Sequence, residues 1–262
     1  FGGLFNKNKI ASADVRAGNT ATAELDDMIS AHIGEDYTLM MERLHSDMLM
    51  HVYVRKDLAS SSSITDTHVQ SAGVGGSKGF SIASTLNVDG TKLSFICMQL
   101  KDKVAVPVKA STITAAKKAN LDQKNATAEE FLNVAGNPSV SSHHVFVFGD
   151  LNYLISPPSN TRGVKNTKEE EQYIARNMLH TKQWSAISAC DELVNAMKKN
   201  DAFSAFSTPF CKFLPTYKVQ RAAGIKYDYT NMPSYTDRIL WRSNQEGRRQ
   251  IEAIVYEPIP QF

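Results

Sequence analysis

The sequence predicts an α/β (α+β) fold, with mixed sheets layered against helices. Three observations carry that expectation. Two apolar runs, Phe80–Leu86 and Lys92–Leu100, flank Asp89-Gly90, a strong two-residue hairpin signal. Val145-Phe146-Val147-Phe148 is a short continuous apolar run of the kind found in strands buried on both faces. Helical readings at 22–34, 111–135 (one or two helices, from composition), 167–180 (a charged helix) and 183–199 alternate with the strands. Hairpins and helical connections in one chain point to a mixed sheet rather than an all-parallel doubly wound one.

Composition narrows the function classes. Hydrophobic residues make up 42% of the 262, enough for a sizeable core. A net charge of +2 gives no bulk attraction for nucleic acid or a membrane. Cys97, Cys190 and Cys211 show no metal-type spacing, and an odd, low count fits a reducing compartment. No apolar run approaches the roughly 20 residues needed to span a bilayer. Without an initiator Met or a leader pattern at Phe1, the chain is expected to be an excised region.

The elements follow in order. Phe1-Gly2-Gly3-Leu4-Phe5 reads as a strand edge or a loop. Leu25, Met28, Ile29 and Ile33 repeat at helical spacing, and Gly34 is a plausible stop. Tyr37 to Arg55 reads as two strands turning near His45-Ser46-Asp47, with the methionines as core. Residues 59–63 read as an exposed serine loop. Gly73 to Phe80 lacks the Walker spacing and reads as a glycine-rich hairpin whose glycines and Lys78 could approach an anion. Leu93, Phe95 and Cys97 alternate with Ser94, Ile96 and Met98 in a largely buried strand that ends in Gln99. Thr127-Ala128-Glu129-Glu130 resembles a helix start, and Gly136-Asn137-Pro138 a stop. Pro157-Pro158-Ser159-Asn160 is a loop, and Thr167 a possible cap. Gln183 to Lys199 is expected to be one helix. Phe203, Phe206, Phe210 and Phe213 are expected in the core. Ile239-Leu240-Trp241 begins a buried strand with Asp237-Arg238 at its entrance, and Ile251–Tyr256 is expected as a final strand.

The polar residues past the Val145–Phe148 run are the centre of the functional argument. An ionisable carboxylate at the mouth of a buried strand is costly unless something uses it. Asp150 and Asn152, one residue apart, are expected on one side of an extended segment. A carboxylate can orient or deprotonate a water, and a neutral amide can contact an anion without repelling it.

The ordered motifs resemble those of the inositol polyphosphate 5-phosphatases, within the endonuclease/exonuclease/phosphatase superfamily. Phe148-Gly149-Asp150-Leu151-Asn152-Tyr153 is similar to W/F-x-G-D-x-N-Y-R. Pro233-Ser234-Tyr235-Thr236-Asp237-Arg238-Ile239-Leu240-Trp241 is similar to P-A/S-W-C-D-R-I/V-L-W. Gly76-Ser77-Lys78-Gly79 resembles G-N-K-G, Asp191-Glu192-Leu193 resembles D-Q-L, and Phe213 to Lys218 resembles F-x-P-T-Y-K. The resemblance implies a two-layer β-sandwich flanked by helices, with residues 1–262 forming one such domain, incomplete at both termini. It implies Mg²⁺-dependent removal of the 5-phosphate from a phosphoinositide headgroup or a soluble inositol phosphate. A catalytically degenerate pseudophosphatase that binds phosphoinositide or protein is the alternative. Peripheral membrane contact, a cytoplasmic location and no nucleic-acid partner accompany that reading.

By the resemblance, Asp150, Asn152 and Asp237 are the catalytic candidates. Lys78, Gln99, Tyr217, Lys218 and Arg238 are the substrate-binding candidates, with Tyr217 and Lys218 on the ring 4-phosphate. Arg238 is expected to hold its corner by ion pairing, or to form only an internal salt bridge with Asp237. Several departures stand out. Cys97-Met98-Gln99-Leu100 stands where the family has N-S-H-L, so Gln99 replaces a phosphate-contacting histidine and cannot carry a proton. Leu154 replaces the arginine of N-Y-R. Tyr229-Thr230-Asn231-Met232 lacks the family's basic residues. The metal-binding Glu of a Q-E pair has no counterpart before Glu24, which reads as an ordinary helix residue. The S-D-H histidine is not found by Phe262.

Overall fold

The computed structural model describes residues 20–46, 48–61, 63–74, 78–102, 110–134, 141–157, 168–220, 225–227, 232–244 and 250–258. Helix α1 (Thr20–Ile33) ends where Gly34 takes φ +80° and its N–H donates to the Ser30 carbonyl at 3.3 Å. Strands β1 (Tyr37–His45) and β2 (Met48–Arg55) form an antiparallel hairpin, with Ser46 left-handed at φ 57°. Helix α2 (Lys56–Ser60) follows, so Ala59 and Ser60 are helical rather than loop. Ser60 Oγ donates back to the Lys56 carbonyl at 2.7 Å, which closes that turn.

Strands β3 (Ile64–Val74), β4 (Gly79–Val88) and β5 (Thr91–Leu100) form an antiparallel meander. The β4–β5 turn has Asp89 at φ 47° and Gly90 at φ 76°, two positive values in succession that match the strand twist. Helix α3 (Ala110–Val134) crosses over to β6 (His144–Asp150), which lies parallel to β5. Helices α4 (Lys168–His180), α5 (Trp184–Ala189) and α6 (Glu192–Lys199) precede β7 (Asp237–Ser243), antiparallel to β6. The larger sheet therefore runs β3-β4-β5-β6-β7, with the β1–β2 pair as a second sheet.

Strand alternation assigns the two faces of the larger sheet. Ile96, Met98 and Leu100 of β5, Val145 and Val147 of β6 and Leu240 of β7 pack against Phe131 of α3 and Leu193 of α6. On the opposite face, Phe95, Cys97 and Phe148 join Ile82, and Met48 and Met50 of β2 cover them. Phe95 and Phe146 stack there at 5.3 Å. The α/β architecture with mixed sheets and flanking helices is the predicted one.

Several elements differ from expectation. Thr127 does not start a helix: it is buried inside the continuous α3, where its Oγ1 accepts from Gln123 Nε2 at 2.7 Å. The segment 183–199 is two helices, because Asp191 leaves helical geometry at ψ 118° to cap α6. Phe203 and Phe206 are in the core, but Phe210 is 44% exposed. Residues 251–256 form no strand. The Ile251 carbonyl instead accepts from the Trp241 indole at 3.1 Å, and Ile254 projects into solvent. The expectations for residues 1–5, Asp47, Gly136-Asn137-Pro138, Pro158 to Asn160, Thr167 and residues 229–231 lie outside the described residues. Among the described residues, no helix is long and apolar enough to cross a membrane.

Candidate active site

The ends of β5 and β6 and the starts of β4 and β7 meet at one end of the larger sheet. Gly79 on β4 pairs with Leu100 at the end of β5. Parallel pairing of Cys97 with Phe148 carries Gln99 and Asp150, each two residues further on, to the same end and face. Asp150 in turn pairs directly with Asp237. The row Gln99, Asp150, Asp237 is therefore set by strand register. Lys78 stands at the same end, its carbonyl accepting from Lys101 N at 2.9 Å.

Two glycines make this end possible. Gly149 has φ +123°, and a Cβ there would collide with the Met98 carbonyl oxygen. Gly79 has φ +155°, and its Cβ would collide with the Gln99 carbonyl oxygen. Both neighbours are backbone atoms of β5, which cannot rotate away. Gly149→Ala is expected to cost about 2–4 kcal/mol through combined backbone strain and overlap. Urea denaturation of the purified variant measures it, and an unchanged midpoint would contradict the close approach.

Asp150 ends its strand half-buried. Burial pushes its carboxyl up from the usual range, and Asp237 and Asp102 push the same way. The Asn152 backbone N–H, donated to Asp150 Oδ1 at 3.1 Å, and the Lys124 charge oppose that rise. Asp237 is exposed, and its Oδ2 accepts from Thr236 Oγ1 at 3.3 Å.

Asn152 is not extended, contrary to the sequence argument that alternation alone aligns it with Asp150. Its φ is +54°, in the left-handed region, and its N–H closes a local turn onto the Asp150 side chain. The residues around it are anchored inward. Leu151 and Tyr153 are buried, and the Tyr153 hydroxyl donates to Asn125 Oδ1 at 2.8 Å. Leu154, in place of the family arginine, gives its backbone N–H to Glu192 Oε2 at 3.0 Å.

Arg238 goes elsewhere. Consecutive strand residues face opposite ways, so Arg238 is enclosed while Asp237 is exposed. Its Nη1 donates to Asp191 Oδ2 at 2.6 Å, and its Nη2 to Thr208 Oγ1 at 3.4 Å. Its ion pair is with Asp191, not with Asp237 as the salt-bridge alternative had it. Asp191 Oδ1 accepts from the Leu193 and Val194 N–H groups at 2.9 and 3.3 Å, so one carboxylate caps α6 and holds β7.

Tyr217 is bound to Ser234 through backbone bonds in both directions, at 3.0 and 2.7 Å. That lays the Tyr217-Lys218 segment beside the chain leading into Asp237, with Lys218 exposed. The register and these bonds gather Lys78, Gln99, Asp150, Asn152 and Asp237 at one end, and tie Tyr217 to the same approach.

Lys124 escaped the sequence reading. It lies on α3, 2% exposed, with Nζ 2.6 Å from the Asn152 carbonyl oxygen, 3.3 Å from Asp102 Oδ1 and 3.7 Å from Glu192 Oε2. The signal was available: Leu121, Lys124, Ala128 and Phe131 share one helical stripe, so a lysine stands where an apolar residue is expected.

The donors present fit a hard divalent cation. Burial, and next the Asp237 carboxylate on the paired strand, raise the proton affinity of Asp150, and a cation beside the two would relieve the repulsive part. Mg²⁺ is commonly held by one or two carboxylates while it keeps several waters. Asp237, the exposed member, would be the residue to hold it. Among the described residues, no three His, Cys, Asp or Glu side chains form a metal cluster. The side chain of Glu24 lies outside the described ones.

Gln99, Asp150 and Asp237 thus stand in a row at the end of a mixed sheet packed between a hairpin layer and a helical layer. The chain belongs to Endonuclease/Exonuclease/phosphatase family 2, whose profile matches residues 5–262. It is 26% identical over 245 residues to phosphatidylinositol polyphosphate 5-phosphatase type IV of Pan troglodytes, covering 89% of this chain and 36% of that protein. It is 34% identical over 109 residues to phosphatidylinositol 3,4,5-trisphosphate 5-phosphatase 1 of Rattus norvegicus, covering 38% of this chain and 8% of that protein. The chain thus spans only a minor part of these relatives' length. Among solved structures, the inositol polyphosphate 5-phosphatase domain of SpSynaptojanin, in complex with inositol (1,4)-bisphosphate and calcium ion, matches at TM-score 0.63. Its identity is 20%, over 87% of this chain and 62% of that one. The Cimex nitrophorin ferrous NO complex matches at TM-score 0.61 and 19% identity, over 90% of this chain and 73% of that one. These two likenesses show the fold alone. One fold carries two differently named proteins, so function is argued from the site.

Proposed function

We propose that this chain is the catalytic part of a phosphomonoesterase that removes the 5-phosphate from phosphoinositides or inositol polyphosphates, with Mg²⁺ as cofactor. The observation that carries the reading is the pairing of Asp150 with Asp237, beside Asn152, on the residues that match the 5-phosphatase motifs. A phosphate monoester resists attack because the nucleophile approaches a group that is already negative. Bound Mg²⁺ supplies charge neutralisation at the phosphoryl and leaving oxygens. Asp150 orients the attacking water and accepts its proton, and its raised proton affinity suits a base. The Asn152 amide donates to a phosphoryl oxygen without adding charge. Asp237 orients the partners of Asp150. Lys78, Gln99, Tyr217 and Lys218 contact the substrate, and Arg238 holds the corner through Asp191.

The substrate is a phosphoinositide headgroup or a soluble inositol phosphate, as the names of the curated relatives suggest. Peripheral membrane contact and a cytoplasmic location go with a lipid substrate. The net charge of +2 supports no nucleic-acid partner.

A second reading, a pseudophosphatase that binds phosphoinositide or protein without turnover, is favoured by one observation. Gln99 stands at the family's histidine position, and its buried Oε1 has no hydrogen-bond partner. Phosphate release from a 5-phosphorylated inositol polyphosphate separates the two. The enzyme reading expects release with Mg²⁺ and none with a chelator. Headgroup binding without release in either condition would overturn it in favour of the second.

A further inference from the structure

We propose that Lys124 is a positioning residue that fixes the backbone of Asn152 and thereby aims its amide. The inference rests on the phosphate-ester reading only for its effect on turnover. Its conformational part stands on geometry alone.

Asparagine enters the left-handed region more readily than other non-glycine residues, but a single left-handed geometry at a site is fixed where the surroundings hold it. Asn152 is held from both sides of its α-carbon. Its N–H is bound to Asp150 Oδ1 at 3.1 Å, and its carbonyl oxygen accepts from Lys124 Nζ at 2.6 Å. The first clamp comes from the site itself. The second comes from α3, 28 residues away in sequence, and ties the loop to a rigid element.

Lys124 is itself held. Asp102 lies beside its Nζ at 3.3 Å and Glu192 at 3.7 Å, and the ammonium stands 5.6 Å from the Tyr153 ring. Glu192 also receives the Leu154 N–H at 3.0 Å and the Ser156 hydroxyl at 2.9 Å. Lys124 and Glu192 therefore grip the chain at three points over residues 152–156. A buried ammonium with this set of acceptors is more than helix packing, because one of them is the carbonyl of the left-handed residue. Leu154 leaves the family's arginine position apolar, and Lys124 supplies the cation against this loop.

The test uses the whole chain and two readouts. NMR of backbone-labelled protein reports the Asn152 φ, and steady-state phosphate release reports kcat and KM. Lys124→Met is expected to take Asn152 out of the left-handed region and to lower kcat at least tenfold, with KM changed less than threefold. Lys124→Arg is expected to retain the conformation and kcat within about threefold of wild type. Glu192→Gln alone is expected to keep Asn152 in place. If Lys124→Met leaves buried carboxylates that prevent folding, Lys124→Met/Glu192→Gln removes the main one and is read against Glu192→Gln. Asn152 remaining left-handed without the Lys124 ammonium overturns the proposal. A wild type that releases no phosphate overturns the enzyme reading instead, and the NMR comparison still decides the role of Lys124.

Discussion

Asp191→Ala is expected to lower the unfolding free energy by about 3–5 kcal/mol, the range for breaking a buried ion pair by removing one partner. The Asp191 and Arg238 side chains are 6% and 1% exposed, and their charged atoms lie 2.6 Å apart. Burial alone would lower the Arg238 pKa, but the surrounding groups, Asp191 first among them, together offset that and raise it. Without Asp191 the guanidinium would remain enclosed, with only neutral groups such as the Thr208 and Tyr256 hydroxyls beside it among the described residues. The same substitution uncaps α6, worth about 1 kcal/mol by itself. Asp191→Asn separates the two contributions, because an amide oxygen can still cap while the charge is lost. Asp191→Ala/Arg238→Met is expected to recover much of the loss, since an apolar pair avoids the stranded charge. Urea denaturation of the series measures each step. A loss under 1 kcal/mol for Asp191→Ala would show that the pair does not hold β7 to the helical layer.

The same pair shows what the sequence could and could not convey. Periodicity finds an element whenever local chemistry dictates it. Asp89-Gly90 turns the chain because its residues accept positive φ, and Val145 to Phe148 can only be an inner strand. The motifs marked Asp150 and Asp237 as candidates for one site, but their direct pairing is seen only in the register of β6 with β7. The break at Asp191 was not legible. Trp184 to Lys199 keeps a helical pattern throughout, and the residue that interrupts it, Asp191, caps α6 while its other oxygen meets a residue 47 positions away. Lys124 was missed for a related reason: its place on an apolar stripe was a signal, but a lysine in a charged helix reads as solvated until tertiary packing is seen to bury it. Thr127 failed in the opposite direction, since a cap signal inside a long helix is overridden when both of its sides pack. Ile251 to Tyr256 has strand composition, but a side chain of β7, the Trp241 indole, takes the Ile251 carbonyl.

Asp150→Ala is expected to reduce kcat for phosphate release by roughly a hundred- to ten-thousand-fold, the usual span for a positioned general base. The 5-phosphorylated substrate with Mg²⁺ gives the measurement, and a wild type no faster than the variant would end the enzyme reading. An independent check needs no turnover. Burial, and next Asp237, raise the folded-state proton affinity of Asp150 above its unfolded value. For a carboxyl shifted that way, the contribution to stability is fully present below the ordinary value, about 3.9. It is lost as pH rises through the raised folded value. Asp150→Asn stays neutral throughout. In chelator, the stability of wild type relative to Asp150→Asn is therefore expected to fall as pH rises from about 4, and to level off once Asp150 is ionised. The slope reports the burial of Asp150 together with the repulsion from Asp237. A difference that stays flat across that window would mean that Asp150 is solvated and distant from Asp237. The carboxylate row on which the phosphoesterase argument stands would then fail with it.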